Sequence, residues 1–284
     1  MKIGPYELFA INTGTFALDG GAMFGVVPKT LWEKVIAPDE NNRIDMAARA
    51  LLLVGAGKKI LIDVGNGSKF NEKLRAIYKI DDDKSNLVAS LARLGIKPEE
   101  ITDVILTHLH FDHAGGSTIR ENGMIKPAFP NAVYYVQREQ WEAANKPTER
   151  DRASFFPDDF VPLHERRMLH FTEGDGEILP YITCRVCYGH TSALQAPVIS
   201  DGKTTLLYCA DLVPTHAHVA LPWIMAYDLR PLVTLEEKKR ILTQAAEGNW
   251  ILFLEHDATI ETLRVQRTDK GFVGVQPAPL ASLT

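Results

Sequence analysis

A layered α/β fold is what this chain of 284 residues predicts, and three observations carry it. Short apolar runs of strand type alternate with segments of helical periodicity, as stacked layers of sheet and helix require. Turn-forming residues punctuate the boundaries between them. Several apolar runs also stop abruptly at a histidine or an aspartate, which places chemistry at strand ends. With 45% hydrophobic and 24% charged residues, the chain can bury a sizeable core, and one domain spanning residues 1–284 is expected.

Residues 6–17 alternate as an opening strand that ends in the turn residues Leu18-Asp19-Gly20-Gly21. Residues 22–28 are apolar yet rich in turn formers. They read either as packing beneath the sheet or as a loop over a binding site, with Met23 and Phe24 as its contacts. Residues 46–54 and 58–64 flank Gly55-Ala56-Gly57 as a hairpin. Helical segments follow at 69–78 and 85–94, the second with Leu87, Val88, Leu91 and Leu94 on one face before Gly95 ends it. The apolar Val104-Ile105-Leu106 then delivers Thr107-His108-Leu109-His110-Phe111-Asp112-His113-Ala114-Gly115-Gly116.

Residues 132–136 read as a strand and 138–145 as a helix. Residues 146–177 hold charges, three prolines, Phe155, Phe156 and Phe160 with little periodicity. This stretch is expected to be a long insertion near an active-site mouth, where loops set specificity. Strands follow at 181–188, 194–200 and 204–209, with Asp201-Gly202 turning between the last two. Thr234 and Glu237 form a capping-box pattern ahead of a helix over 235–247, Gly248 stops it, and 251–255 is a buried-type strand. No internal repeat is visible, although two βα halves joined face to face fit the order.

Three histidines and an aspartate within residues 108–113 outweigh the reading of a surface loop that happens to hold them. Imidazole nitrogen and carboxylate oxygen suit zinc, and manganese, iron or cobalt accept the same donors. In a loop after a strand, His108 and His110 can face one ion while Asp112 and His113 face a second. A dinuclear site needs more donors than that. His190, Asp211 and His256 stand just past apolar runs that end at Tyr188, Cys209 and Leu254.

The run from Thr107 to Gly116 resembles the His-x-His-x-Asp-His signature of the metallo-β-lactamase-fold hydrolases. Within them it is similar to the branch of lactonases and methyl-parathion-type organophosphate hydrolases. The resemblance implies a four-layer αβ/βα sandwich. It implies that His108, His110 and His190 bind one metal, that Asp112, His113 and His256 bind the other, and that Asp211 bridges them. By the same carry-over Asp63 supports a metal-binding histidine from behind, the alternative being a turn cap. Asp112 would pass a proton to the leaving group. Two divalent ions, zinc first, would share a hydroxide nucleophile and act on a small-molecule substrate.

Departures narrow that substrate. Zinc β-lactamases of the commonest type carry cysteine where Asp211 stands, which disfavours antibiotic hydrolysis. The basic insertions of processing nucleases and the extra helical domain of glyoxalase II are not evident. The lactonase branch often has a tyrosine soon after the bridging aspartate, but Leu212-Val213-Pro214-Thr215 has none, so lactone chemistry would need another donor. A small ester, lactone or phosphotriester with an apolar portion is expected. The alternatives are a single-iron dioxygenase acting on a thiol-derived substrate, a two-iron electron-transfer protein, and a non-catalytic binding module.

A net charge of −5 and a pI near 6.0 give no basic footprint for nucleic acid. No apolar run approaches a membrane span. The opening Met1-Lys2-Ile3-Gly4-Pro5-Tyr6-Glu7 lacks a leader pattern. A complete chain is expected in the cytoplasm, and one trimmed of a signal peptide would read the same. Three cysteines argue against a disulfide framework. Cys184 and Cys187 point to opposite faces of a strand and are expected in the core, as is Cys209. His164 and His170 are expected to be structural or solvated. His216, His218, Trp223 and Met225 could face the substrate mouth, against the plainer reading of loop residues. The oligomeric state is left open, a homodimer being one option.

Overall fold

The apolar alternation resolves into two seven-stranded sheets in a computed structural model that describes residues 1–83 and 85–283. Along the chain come β1 (Lys2–Ile3), β2 (Tyr6–Asp19), β3 (Arg43–Gly55), β4 (Lys58–Ile62) and β5 (Asp103–Ile105). A separate hairpin, β6 (Thr118–Glu121) and β7 (Met124–Pro127), precedes β8 (Val133–Gln137) and β9 (Leu169–Thr172). The first sheet has the order β1-β2-β3-β4-β5-β8-β9. The second takes β10 (Gly176–Leu179), β11 (Ile182–Cys187), β12 (Leu194–Ser200), β13 (Thr205–Tyr208), β14 (Ile251–Phe253), β15 (Thr262–Thr268) and β16 (Gly271–Ala278) in chain order.

Alternation along β3 shows why the sheets stack. Leu51 and Leu53 join a core that includes Ile182, Leu194 and Phe253 of the second sheet. Ala50 and Leu52 turn the other way, toward Leu87 and Leu91 of the helix Leu87–Arg93. Both faces are therefore apolar, and helices cover the outer ones. The result is the four-layer αβ/βα arrangement. The ends of β4, β5, β11, β13 and β14 gather at one edge of this stack, and the donors sit there. Among the described residues, no helix is long and apolar enough to cross a membrane.

Several boundaries differ from expectation for identifiable reasons. Asp19 ends β2 and also caps the short helix Gly20–Phe24, its Oδ1 accepting the Ala22 N–H at 2.8 Å. The helices expected at 69–78 and 85–94 shrink to Glu72–Tyr78 and Leu87–Arg93, because Asn71 and Asn86 cap them by accepting from Leu74 and Ala89. Only Leu87 and Leu91 of the expected apolar face are buried, while Val88 and Leu94 are exposed. The hairpin turn is two residues, with Ala56 and Gly57 both at positive φ, which matches the strand twist. Cys184, Cys187 and Cys209 are buried and free.

The segment 146–177 is more ordered than its composition suggests. Its later half forms the helix Val161–Glu165, then β9, which runs parallel to β8, and then opens β10. Short edge strands need little apolar pattern, so they leave a faint trace. The long helix is Pro231–Glu247, with Pro231 in its first turn. Its apparent capping box is used otherwise. The Thr234 hydroxyl donates to the Arg230 carbonyl, and Glu237 accepts the N–H groups of Tyr188 and Gly189 at 2.7 and 3.0 Å.

Close backbone approach fixes the loop against the end of β4. Gly116 donates its N–H to the Gly65 carbonyl at 3.0 Å, and a Cβ there would meet the Val64 carbonyl oxygen at 2.2 Å. Gly116→Ala is therefore expected to lower stability by about 2–3 kcal/mol, since backbone rather than a mobile side chain must yield. Urea unfolding checks this, and a loss under about 0.5 kcal/mol would contradict the packing.

Candidate metal centre

The three-residue β5 ends at Ile105, and the loop beyond it is anchored from below. Asp63, itself at φ 54°, accepts the Thr107 N–H and the Thr107 hydroxyl, each at 2.7 Å. The chain then makes one helical turn, Phe111–Ala114, with His110 at its N-cap. That turn carries Asp112 and His113 inward. Glu237 fixes the backbone before His190. Asp211 sits in the turn Ala210–Leu212 past β13. His256 follows β14, where the Arg49 guanidinium braces its loop through the carbonyls of Leu254 and Asp257.

Two donor sets result. Ligand atoms of His108, His110, His190 and Asp211 lie within 4.8 Å of one another, and so do those of Asp112, His113, Asp211 and His256. All seven residues are buried, and Asp211 belongs to both sets. Its Oδ2 is 3.0 Å from His190 Nε2, 3.5 Å from His113 Nε2 and 3.8 Å from His108 Nε2, while Oδ1 is 3.2 Å from His256 Nε2.

Hydrogen bonds on the far side of each ring decide which nitrogen faces inward. His113 Nδ1 lies 3.0 Å from both Asp63 Oδ2 and Glu255 Oε2. His190 Nδ1 lies 2.8 Å from Asp228 Oδ1, and His256 Nδ1 donates to the Ala47 carbonyl at 3.0 Å. With Nδ1 the donor, each neutral ring turns the lone pair of Nε2 into the centre. His113 Nε2 and His256 Nε2 are then only 3.0 Å apart, and His190 Nε2 is 3.1 Å from His110 Nδ1. Where both facing nitrogens carry lone pairs, they repel at that range unless a cation or a shared proton lies between them. His108 Nε2 and Asp211 Oδ1 also lack hydrogen-bond partners among the described residues. Such a donor set fits a pair of divalent cations.

Titration of the rings reflects the same crowding. Burial pushes His108 and His110 well below the usual histidine range. Burial also pulls on His190 and His256, but Asp211 outweighs it and lifts them to about 10 and about 9. Burial would raise Asp211, yet His190 and the other imidazoles hold it well below the usual carboxylate range.

A cavity of about 350 Å³ opens over these donors. Leu18, Met23, Met46, Phe111, Met225 and Leu229 give it an apolar wall, and Tyr78, Tyr227 and Arg150 contribute polar groups. Of the four residues expected to touch substrate, Met23 lines the cavity, while Phe24, His216 and Trp223 do not. Phe24 is fully buried, stacked against Trp32 and His218 with Trp223 edge-on, so this part of the expected substrate wall is core behind the cavity. His216 is held away by Asp257, which accepts from its backbone N–H at 2.9 Å and approaches its ring Nδ1 at 2.5 Å. His164 stacks on Trp141, and His170 is exposed beside Tyr135.

Sequence reasoning missed Asp228, Glu255, Tyr78, Tyr227 and Arg150. Glu255 had a signal, being next to His256 at a strand end. Asp228 had none. Because it sets the His190 tautomer, Asp228→Ala is expected to weaken metal retention about 10–100-fold. Dialysis against graded chelator measures this, and an unchanged profile would show the contact to be incidental.

The family model described as Metallo-beta-lactamase superfamily matches residues 45–256, a span that includes all seven donors. The chain belongs to the metallo-beta-lactamase superfamily. The N-acyl homoserine lactonase of Bacillus cereus is 32% identical over 176 residues, covering 58% of this chain and 63% of that protein. The match thus spans less than two thirds of that relative. The N-acyl homoserine lactonase AttM of Rhizobium radiobacter is 26% identical over 230 residues, 74% and 79% of the two chains. A probable metal-dependent hydrolase from Staphylococcus aureus superposes with a TM-score of 0.89 at 29% identity, covering 100% of both chains. AidC, a dizinc quorum-quenching lactonase, shares the fold at a TM-score of 0.80 and 24% identity, over 98% of this chain and 96% of its own.

Proposed function

We propose that the protein is a dinuclear metal-dependent hydrolase of a small lactone or ester that carries an apolar chain. The observation that carries this reading is the apolar cavity set directly over two donor sets joined by Asp211. The lactonase names of its superfamily relatives support it. His108, His110 and His190 would hold one cation, Asp112, His113 and His256 the other, with Asp211 between them. Zinc suits these donors best, with manganese, iron and cobalt as substitutes. Bound there, two divalent cations supply a water-derived nucleophile at neutral pH and polarise the scissile carbonyl.

The chain's own residues do the rest. Asp63, Asp228 and the Ala47 carbonyl keep the rings in the inward-facing tautomer. Asp112 lies at the cavity floor, its Oδ2 3.6 Å from His256 Nε2 and 3.8 Å from His113 Nε2. From there its carboxylate takes up a proton and returns it to the leaving oxygen. Tyr227 lines the cavity, and burial pushes its phenol up, so it stays a hydrogen-bond donor at neutral pH. It takes the substrate-carbonyl role for which residues 212–215 offer no tyrosine. Met23, Met46 and Met225 receive the apolar chain through adaptable thioether contacts. A cavity near the lower end of the usual ligand-site range favours a small substrate.

The test is elemental analysis of protein purified without added metal or chelator, paired with assays on N-hexanoyl homoserine lactone, an aryl ester and a phosphotriester. Two zinc, manganese or cobalt ions per chain with turnover of lactone or ester is the expected result. A single iron with no hydrolysis would overturn the reading in favour of oxygen-dependent chemistry.

A further inference from the structure

The helix Pro231–Glu247 buries two adjacent charged residues, Glu237 and Lys238. Glu237 accepts the N–H groups of Tyr188 and Gly189, the two residues before His190. Lys238, only 1% exposed, does the converse. Its Nζ donates to the carbonyls of Trp223 at 2.7 Å, Ala220 at 3.0 Å and Leu221 at 3.4 Å. An ammonium has three hydrogens and no acceptor, so these bonds use its whole inventory. Burial pulls it down to about 7 against the attraction of Asp228, so at pH 6.5 most of it is the three-hydrogen form. Burying a cation against neutral carbonyls is a costly way to fill a helix face, and what the carbonyls belong to accounts for it.

Residues 220–230 form no helix or strand, so no ladder fixes their backbone. Farther along, the Ala226 N–H donates to the Ala22 carbonyl at 2.7 Å, and those of Leu229 and Arg230 donate to His190 and Gly189 at 3.1 and 2.8 Å. Lys238 supplies the anchor at the start of the segment. Between these ties the segment places Met225 and Leu229 in the wall of the substrate cavity and Asp228 beside His190. Neighbouring residues of one helix thus hold both backbones that bring His190 and its orienting carboxylate together, Glu237 the first and Lys238 the second.

We propose that Lys238 is a positioning residue: by holding residues 220–223 against the long helix, it sets where Met225 and Leu229 meet the substrate's apolar chain and where Asp228 meets His190. It touches neither substrate nor metal donor. The part that concerns substrate rests on the proposed function, whereas the hold on the segment does not. Methionine at 238 would keep a stem of similar length and remove every hydrogen. The three carbonyls would then lack their donor, and the segment would shift to hydrate them.

Lys238→Met is compared with wild type as metal-loaded full chain at pH 6.5. Ile241→Val serves as control, since it thins the packing of the same helix at a fully buried residue and leaves the lysine in place. Hydrogen exchange read by mass spectrometry is expected to speed up about tenfold across residues 223–229 in Lys238→Met. Metal retention against graded chelator should weaken about tenfold, because Asp228 no longer fixes the His190 ring. At saturating free zinc, KM for N-hexanoyl homoserine lactone should rise about tenfold with kcat within about threefold, the signature of lost wall contacts. Unchanged exchange in that segment, an unchanged KM or chelator profile, or the same changes in Ile241→Val would each overturn the proposal. A wild type that turns over no lactone would count against the proposed function instead, and exchange with the chelator profile would then decide the role of Lys238.

Discussion

Asp211→Ala is expected to lower kcat/KM by more than about a thousandfold, the loss that follows from removing about 4 kcal/mol of metal-borne transition-state stabilisation. Among the described residues Asp211 is the only donor common to both sets. Its carboxylate reaches His190, His113, His108 and His256 within 3.8 Å, so no neighbour can take over its place. Alanine would leave the rings of His113 and His256, and of His110 and His190, facing one another at 3.0 and 3.1 Å without the central negative charge. The variant should therefore hold fewer than two ions per chain as well as losing turnover. Elemental analysis and kinetics on the same sample separate the outcomes. Two retained ions with near-normal hydrolysis would show that Asp211 does not join the sites, while two ions with lost hydrolysis would move its role from binding to chemistry.

The centre was unevenly legible in the sequence. His108, His110, Asp112 and His113 announce themselves because a single turn after a strand must present four donors in close succession. His190, Asp211 and His256 are separated by tens of residues, yet each follows an apolar run, and a strand's end at a sheet edge is a place that sequence pattern can locate. Asp228 lies in an irregular stretch 38 residues from the ring it orients, and nothing local marks it. Phe24 shows a different limit, since apolar character alone does not say whether a side chain lines a cavity or packs behind its wall. Glu237 shows a third, because a carboxylate in a capping pattern was taken by the backbone of residues 188 and 189. The edge strands β9 and β16, and β15 beside the latter, were faint because much of their surface stays exposed or half-buried. Tertiary demands overrode local pattern in each case.

Stripping the metals is expected to remove hydrolysis entirely and to lower the melting temperature by an amount that grows with pH. Ions bound only by the folded chain stabilise it by linkage, about 4 kcal/mol when their concentration is a thousand times the dissociation constant. In the metal-free chain, Asp211 lifts His190 and His256 from 6.5 to about 10 and about 9 despite burial. A raised folded-state value means that the protonated rings stabilise the metal-free chain fully below pH 6.5, and that this contribution is lost as pH rises through about 9 to about 10. Cations must displace those same protons, so metal affinity climbs across the window in which the stripped chain weakens. Both effects have one sign. The gap in melting temperature between loaded and stripped protein should widen from pH 6.5 toward pH 9, as calorimetry at fixed free metal would record. A gap that stayed constant or narrowed would mean that the protons on His190 and His256 do not compete with the ions, and that these rings are not their ligands.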